Sequence, residues 1–315
     1  MIIAGGEALV DLVDDHGALR VVAGGGPFNT AIALGRLDVP VGFLGTISRD
    51  PHGEMLAERL VDAGVDTSLV RRSDAPTPHA IVRRHRDGTN EYTFKLGGTS
   101  LVDLSPEDLP SLPQEAWAVH VGTLALAVDP PAASYEALVS REAGHRTIIL
   151  DPNVRPAIVR EPIAYRCRFE RLARQADIVK LSDDDAAWLY PGAGIRQVLE
   201  QLLRCGPRIV ALTRGENGAV AATDGAFVDV PGMPIAVVDT VGAGDSFGAA
   251  LITSLVDEGV LGPQATRPPD EATLKRSVAY AVTASAITCT RTGADPPTRN
   301  EIEAHVRDAC RRPGR

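Results

Sequence analysis

A segment in the C-terminal third, Val237-Val238-Asp239-Thr240-Val241-Gly242-Ala243-Gly244-Asp245-Ser246-Phe247, joins a strand-like run, a glycine turn and a helical pattern. Gly242 and Gly244 let the backbone bend tightly with its N–H groups outward, at the positive end of the helix that follows. Such a turn suits an anion. Asp245 falls in the first helical turn, where its carboxylate could accept a proton from a hydroxyl attacking a bound phosphate. A base beside an anion hole is what phosphoryl transfer needs. The same residues also fit a plain helix start capped by Asp245, so the rest of the chain has to decide.

A second cluster, Gly24-Gly25-Gly26-Pro27-Phe28-Asn29-Thr30-Ala31, lies near the N-terminus. Its glycines leave a backbone against which a ligand can lie, and Asn29 offers a donor and an acceptor to a sugar hydroxyl. It is not a P-loop, because no Gly-Lys-Ser or Gly-Lys-Thr follows. Asp11, in Gly6-Glu7-Ala8-Leu9-Val10-Asp11, ends the expected first strand. A carboxylate there can accept two adjacent hydroxyls, although a lone Asp more often sits in a solvated turn. Asp151-Pro152-Asn153-Val154-Arg155 follows another strand pattern, at the carboxyl edge where open α/β sheets place ligands.

These residues need a scaffold, and the apolar pattern supplies one. Short runs rich in Val and Ile at 2–12, 41–47, 118–124, 147–150, 177–181 and 208–213 read as strands. Helical periods at 28–37, 53–63, 134–143, 169–175 and 195–205 alternate with them. That alternation predicts a mostly parallel sheet covered on both faces. Residues 21–22 and 80–96 break it, the latter around an Asp87-Gly88 turn, and predict a small antiparallel flap over a site. Long helical patterns follow at 244–258, 272–287 and 299–309, with a Pro-rich loop at 262–269.

With 44% hydrophobic and 23% charged residues, the 315-residue chain has the composition of a globular protein. A net charge of -9 repels nucleic-acid phosphates and anionic membranes, so neither is an expected partner. Cys167, Cys205, Cys289 and Cys310 lack zinc or redox spacing and read as reduced thiols. No leader-like start or membrane-length apolar run is present, which makes the cytoplasm the expected location. The seven histidines show no metal-ligand spacing, and His79, His85 and His120 read as flap or core residues.

The two glycine segments together resemble the PfkB, or ribokinase-like, carbohydrate kinases. The family's C-terminal signature, Asp-Thr-x-Gly-Ala-Gly-Asp, is met in full from Asp239 to Asp245. Its N-terminal signature looks like the cluster at Gly24, continuing through Gly42-Phe43-Leu44-Gly45 to Asp50 and Gly53. Gly-Glu-x-Leu-x-Asp and Asp-x-Asn-x-Arg are similar to the fructokinase and 2-keto-3-deoxygluconate kinase branches. The resemblance runs from Gly6 to about Pro297.

The resemblance implies a single three-layer α/β/α domain over 1–315, with a mostly parallel sheet and a small β-sheet lid from about 14–22 and 77–99. It implies ATP-dependent phosphorylation of a primary hydroxyl of a small carbohydrate, fructose first; 2-keto-3-deoxygluconate, ribose or a nucleoside are the alternatives. Asp245 would be the base, with Gly242, Ala243 and Gly244 as the anion hole. Asp11, Gly25, Gly26, Asn29 and Arg155 would hold the sugar. Lys180, Ser182, Thr213, Gly215, Gly218 and Gly244 would hold the nucleotide.

Magnesium is implied through Asp185, by way of water, where the family has Asn-x-x-Glu and this chain has Ser182 and Asp185. A potassium-like ion is implied near Asp239, Val241, Thr288, Arg291 and Gly293. A homodimer through the lid strands is implied as well. The rival from another class is a sugar-binding regulatory protein that kept the fold without turnover. A dehydrogenase is disfavoured because no Gly-x-Gly-x-x-Gly follows the first strand.

Overall fold

A computed structural model describes residues 1–15, 18–84, 90–263, 265 and 267–311. Its strands, in chain order, are β1 (Ile2–Gly5), β2 (Leu9–Asp15), β3 (Ala18–Gly24), β4 (Val41–Ser48), β5 (Val70–Ser73), β6 (His79–Arg84) and β7 (Asn90–Lys95). There follow β8 (Ala118–Gly122), β9 (Thr147–Asp151), β10 (Ile178–Ser182), β11 (Ile209–Thr213), β12 (Ala219–Ala222) and β13 (Phe227–Val230). The helices are α1 (Gly26–Arg36), α2 (Pro51–Asp62), α3 (Pro131–Glu142), α4 (Pro162–Ala173), α5 (Asp183–Leu189), α6 (Ile195–Cys205), α7 (Ala243–Asp257), α8 (Glu271–Cys289) and α9 (Arg299–Arg311).

The larger sheet has the order β13-β12-β11-β10-β9-β8-β1-β4-β5. Every neighbouring pair from β11 to β5 is parallel, and β12 and β13 close one edge as antiparallel strands. Ile2 and Ile178 point into one buried layer with α1, α7 and α8, while Ile3, Val179 and Leu181 point into the other with α3, α4 and α6. Both faces are therefore dry, which is why these strands read as continuous apolar runs instead of alternating ones. Each such side chain contributes roughly 1.5–3 kcal/mol by leaving water.

The smaller sheet has the order β3-β2-β6-β7, with β2 and β6 parallel and the outer pairs antiparallel. This corrects the reading of 2–12 as one strand. Glycine at position 6 and the inward turn of Glu7 end β1 after Gly5, and the chain enters the second sheet at Leu9. Asp11 consequently sits in the middle of β2, not at a carboxyl strand end, opposite Val22 of β3 and Ala80 of β6. The proposed Asp87-Gly88 turn and His85 lie outside the described residues.

The run before Gly242 is a second correction, because residues 231–241 form no strand. Val237 and Val238 are exposed, and the Val238 and Asp239 amides both donate to the Cys289 carbonyl at the end of α8. A β-branched run can thus be extended without a partner strand when a helix terminus takes its hydrogen bonds.

Candidate active site

Asp245 occupies the third position of α7, behind Gly242, whose φ of 75° is a left-handed conformation that glycine adopts without strain. A Cβ on Gly242 would lie 2.6 Å from that of Ala294, so the turn also needs the missing side chain for space. The first-turn amides of α7 have no partners within the helix, the Ala243 amide donating instead to the Thr240 carbonyl at 3.3 Å, and Gly242, Ala243 and Gly244 line the cleft at the positive end of the helix dipole.

The Asp245 carboxylate is buried and accepts a 2.8 Å hydrogen bond from Asn29 Nδ2. Burial raises its pKa to about 6, with Asp151 adding to the rise, while Lys180, Asn29 and Arg155 oppose it. A carboxyl poised there is ionised at neutral pH yet basic enough to share a proton with an attacking hydroxyl. Asn29 reaches Asp245 from α1, whose Pro27 fits the first helical turn, where a missing N–H costs no bond. Gly25 stands before that helix at φ 111°, and a Cβ there would collide with the Glu7 carbonyl at 2.4 Å.

Lys180 is buried on β10 and donates to Asp151 Oδ2 at 2.8 Å. Burial alone would lower its pKa, but Asp151, Asp245 and Asp185 outweigh that and hold it raised. Its Nζ lies 3.0 Å from where a Gly244 Cβ would stand, so Gly244 keeps the path open between a fixed cation and the anion turn. Arg155 is exposed at the cleft wall, donating to the Asn153 Oδ1 and carbonyl, and its charge partly offsets the rise in Asp11. Burial pushes Asp11 up to about 6.

These groups line one cleft of about 1080 Å³. Asp11, Gly25, Gly26, Asn29, Arg155, Thr213, Gly215 and Gly218 all line it. Lys180, Ser182, Val241, Gly242, Ala243, Gly244 and Asp245 line it as well. The smaller sheet closes a side of the cleft with Leu9, Asp11 and Phe94.

Asp185 does not line the cleft, contrary to expectation. Its Oδ1 accepts from the Val154 amide at 2.6 Å and its Oδ2 from the Ser182 amide at 2.8 Å, while Ser182 Oγ accepts from the Asp185 amide. This is a capping box at the start of α5, with both carboxylate oxygens committed to backbone. The side chain thus ties the start of α5 to the loop at Val154. Among the described residues no group of three His, Cys, Asp or Glu side chains is placed to hold a metal.

The loops expected to hold a monovalent ion do meet. Asp239 accepts from the Val241 amide at 3.1 Å and the Gly293 amide at 2.9 Å. Thr288 instead donates to Ser246 Oγ, and Arg291 is drawn away to Glu301. Sequence reasoning gave no role to Glu7, Thr123 or the stretch Met233, Pro234 and Ile235, although all of them line the cleft. The last of these lacks any chemical signature; it is apolar wall, visible only once folded.

The two sheets, with a cleft across the carboxyl ends of the parallel strands, define a ribokinase-like α/β protein. The chain belongs to the pfkB family of carbohydrate kinases, whose family model it matches over residues 6–301. It is 37% identical over 280 residues to a fructokinase of Rhizobium leguminosarum bv. trifolii, covering 87% of this chain and 86% of that protein. A fructokinase of Klebsiella pneumoniae is 32% identical over 283 residues, covering 89% and 92%.

Among solved structures, the fructokinase of Vibrio cholerae O395 in its fructose, ADP and calcium ion bound form superposes with a TM-score of 0.84 at 26% identity, covering 96% of this chain and 97% of that one. The fructokinase of Xylella fastidiosa with bound ATP gives 0.86 at 24% identity, covering 98% of each, and speaks for the fold.

Proposed function

We propose that this chain is a fructokinase, transferring the γ-phosphoryl group of ATP to a primary hydroxyl of fructose. One observation carries the reading: a buried carboxyl with a near-neutral pKa, Asp245, lies at a left-handed glycine turn beside the buried cation Lys180. Curated relatives at 32% and 37% identity are fructokinases, and the solved relative at 26% identity carries fructose and ADP.

In this mechanism Asp11, Asn29 and Arg155 orient the sugar and Asp245 takes the proton of its attacking hydroxyl. The amides of Gly242, Ala243 and Gly244, with Lys180, stabilise the charge on the transferring phosphoryl group. Thr213, Gly215 and Gly218 lie along the nucleotide. Asp183 and Asp184, which line the cleft at the first turn of α5, would meet the water shell of a magnesium ion bound with ATP, which would supply neutralisation of phosphate charge. A potassium-like ion would rest against the carbonyls of the Asp239 and Gly293 loops.

The smaller sheet is the lid of one domain, and its closure excludes water from the reacting phosphate. Its outer strands β3 and β7 leave edges that a second copy would cover, giving a homodimer. The enzyme works in the cytoplasm, where Cys167, Cys205 and Cys289, all free, stay reduced. No helix among the described residues is long and apolar enough to cross a membrane.

The test is ADP release from ATP and magnesium over fructose, ribose, 2-keto-3-deoxygluconate and nucleosides. Selective turnover on fructose is the expected result. Turnover on another acceptor would replace the substrate, and sugar binding without ADP release would favour a regulatory protein.

A further inference from the structure

Glu7 lies at the joint between the two sheets, only 1% exposed. Its Oε1 accepts from the Gly26 amide at 3.0 Å and its Oε2 from the Ala125 amide at 3.1 Å. Among the described residues no Lys, Arg or His pairs with it, and the like charge of Asp245 acts on it unfavourably. A carboxylate buried without a cation costs several kcal/mol, and a fold that only needed volume here would do better with an apolar side chain.

The two amides it joins belong to two elements that line the cleft, α1 through Gly26 and the 3-10 turn through Thr123 and Leu124. Gly26 opens α1, where the Gly25 carbonyl accepts from the Asn29 amide at 2.8 Å and Asn29 in turn donates to Asp245. Ala125 belongs to the 3-10 turn Thr123–Leu126. Thr123 at its start has φ 60°, a left-handed conformation that a β-branched residue holds only when its surroundings impose it. The Thr123 hydroxyl faces Gly26, where a Cβ would come within 2.1 Å of it, and Asn153 Nδ2 reaches the same hydroxyl at 3.5 Å. Glu7, Gly26, Asn29, Thr123 and Asn153 all line the cleft.

We propose that Glu7 is a positioning residue for the acceptor sugar, bolting the N-terminus of α1 to the Thr123 turn so that Asn29, Thr123 and Asn153 face one bound hydroxyl pattern. This rests on the sugar-kinase reading. Glutamine at position 7 keeps one acceptor and turns an NH2 against the other amide, whereas aspartate is a methylene too short to span both.

The experiment compares Glu7→Gln, Glu7→Asp and wild type by calorimetric titration with fructose and, separately, with ATP, alongside steady-state kinetics. Fructose affinity is expected to fall roughly tenfold in both variants, the equivalent of one lost buried hydrogen bond, with ATP affinity unchanged. KM for fructose should rise with it while KM for ATP stays in place, a split that general loosening of the fold would not give. Should Glu7→Gln not fold, Glu7→Asp, which keeps the charge, carries the same titrations against wild type. Unchanged fructose affinity, or equal loss for both ligands, overturns the role of Glu7. Wild-type protein that binds fructose and ATP without releasing ADP overturns the kinase reading, and the titrations still judge Glu7.

Discussion

Asn29 Nδ2 donates to Asp245 Oδ2 at 2.8 Å, joining the first turns of two helices that are 216 residues apart in the chain. The bond holds one carboxylate lone pair and leaves the rest of the group to the cleft. It also couples the sugar-binding helix to the proposed base, so that position and basicity are set together.

Replacing Asp245 by Asn removes the proton acceptor while preserving shape and an acceptor for Asn29. We expect kcat to fall by about 10²–10⁴ with KM for the sugar changed only a few-fold. Retention of most of the turnover by a folded Asp245→Asn protein would show that another group takes the proton.

The same substitution has a stability signature. The folded protein holds the Asp245 proton more tightly than the unfolded chain, with a pKa of about 6 against 3.8. Wild-type stability from this group is therefore fully present below pH 4 and is lost as pH rises toward 6. Asn does not titrate, so the stability of the variant relative to wild type should rise across that interval by on the order of 2–3 kcal/mol. Urea unfolding at pH 4 and pH 8 checks this; a variant-minus-wild-type difference that does not grow between the two contradicts the assigned shift.

Three cleft carboxyls are raised, Asp245 and Asp11 to about 6 and Glu7 to about 7. The acid limb of log kcat/KM, which reports the free enzyme, should bend between about pH 7 and pH 6 and steepen beyond unit slope below that. In Asp11→Asn the limiting slope should drop by 1. An equal slope in both proteins would remove Asp11 from the set of groups that must be ionised.

The Lys180–Asp151 pair makes an opposite demand. Lys180→Met leaves Asp151 buried without its cation and should cost about 3–5 kcal/mol, measurable by denaturant titration. It should also move the acid limb to higher pH, because Lys180 is the chief group holding Asp245 down. Adding Asp151→Leu should restore most of the stability but not ATP affinity.

Gly242→Ala puts a Cβ on a left-handed residue and 2.6 Å from the Ala294 Cβ. Conformational cost alone is about 1–2 kcal/mol, and the displaced amides should lower kcat. Gly64→Ala, at φ 73° with open space around it, carries the same backbone cost without touching the site. Equal losses of kcat in the two proteins would disprove an anion-hole role for Gly242.

Much of this was legible before folding. The Val- and Ile-rich strands, the helical periods between them and the two glycine segments are local patterns, written in consecutive residues, and they indicated the parallel sheet, the anion turn and Asp245. The tertiary structure alone decided the rest, because it depends on groups remote in the chain. It split residues 2–12 between two sheets, since nothing in an apolar run records which sheet will accept its hydrogen bonds. It turned Asp185 to the Val154 and Ser182 amides, the first of them in a loop 31 residues away. And it buried Glu7, which the sequence showed only as part of a Gly-Glu-x-Leu-x-Asp motif, between the amides of Gly26 and Ala125, because burial and partners belong to the fold and not to the residue.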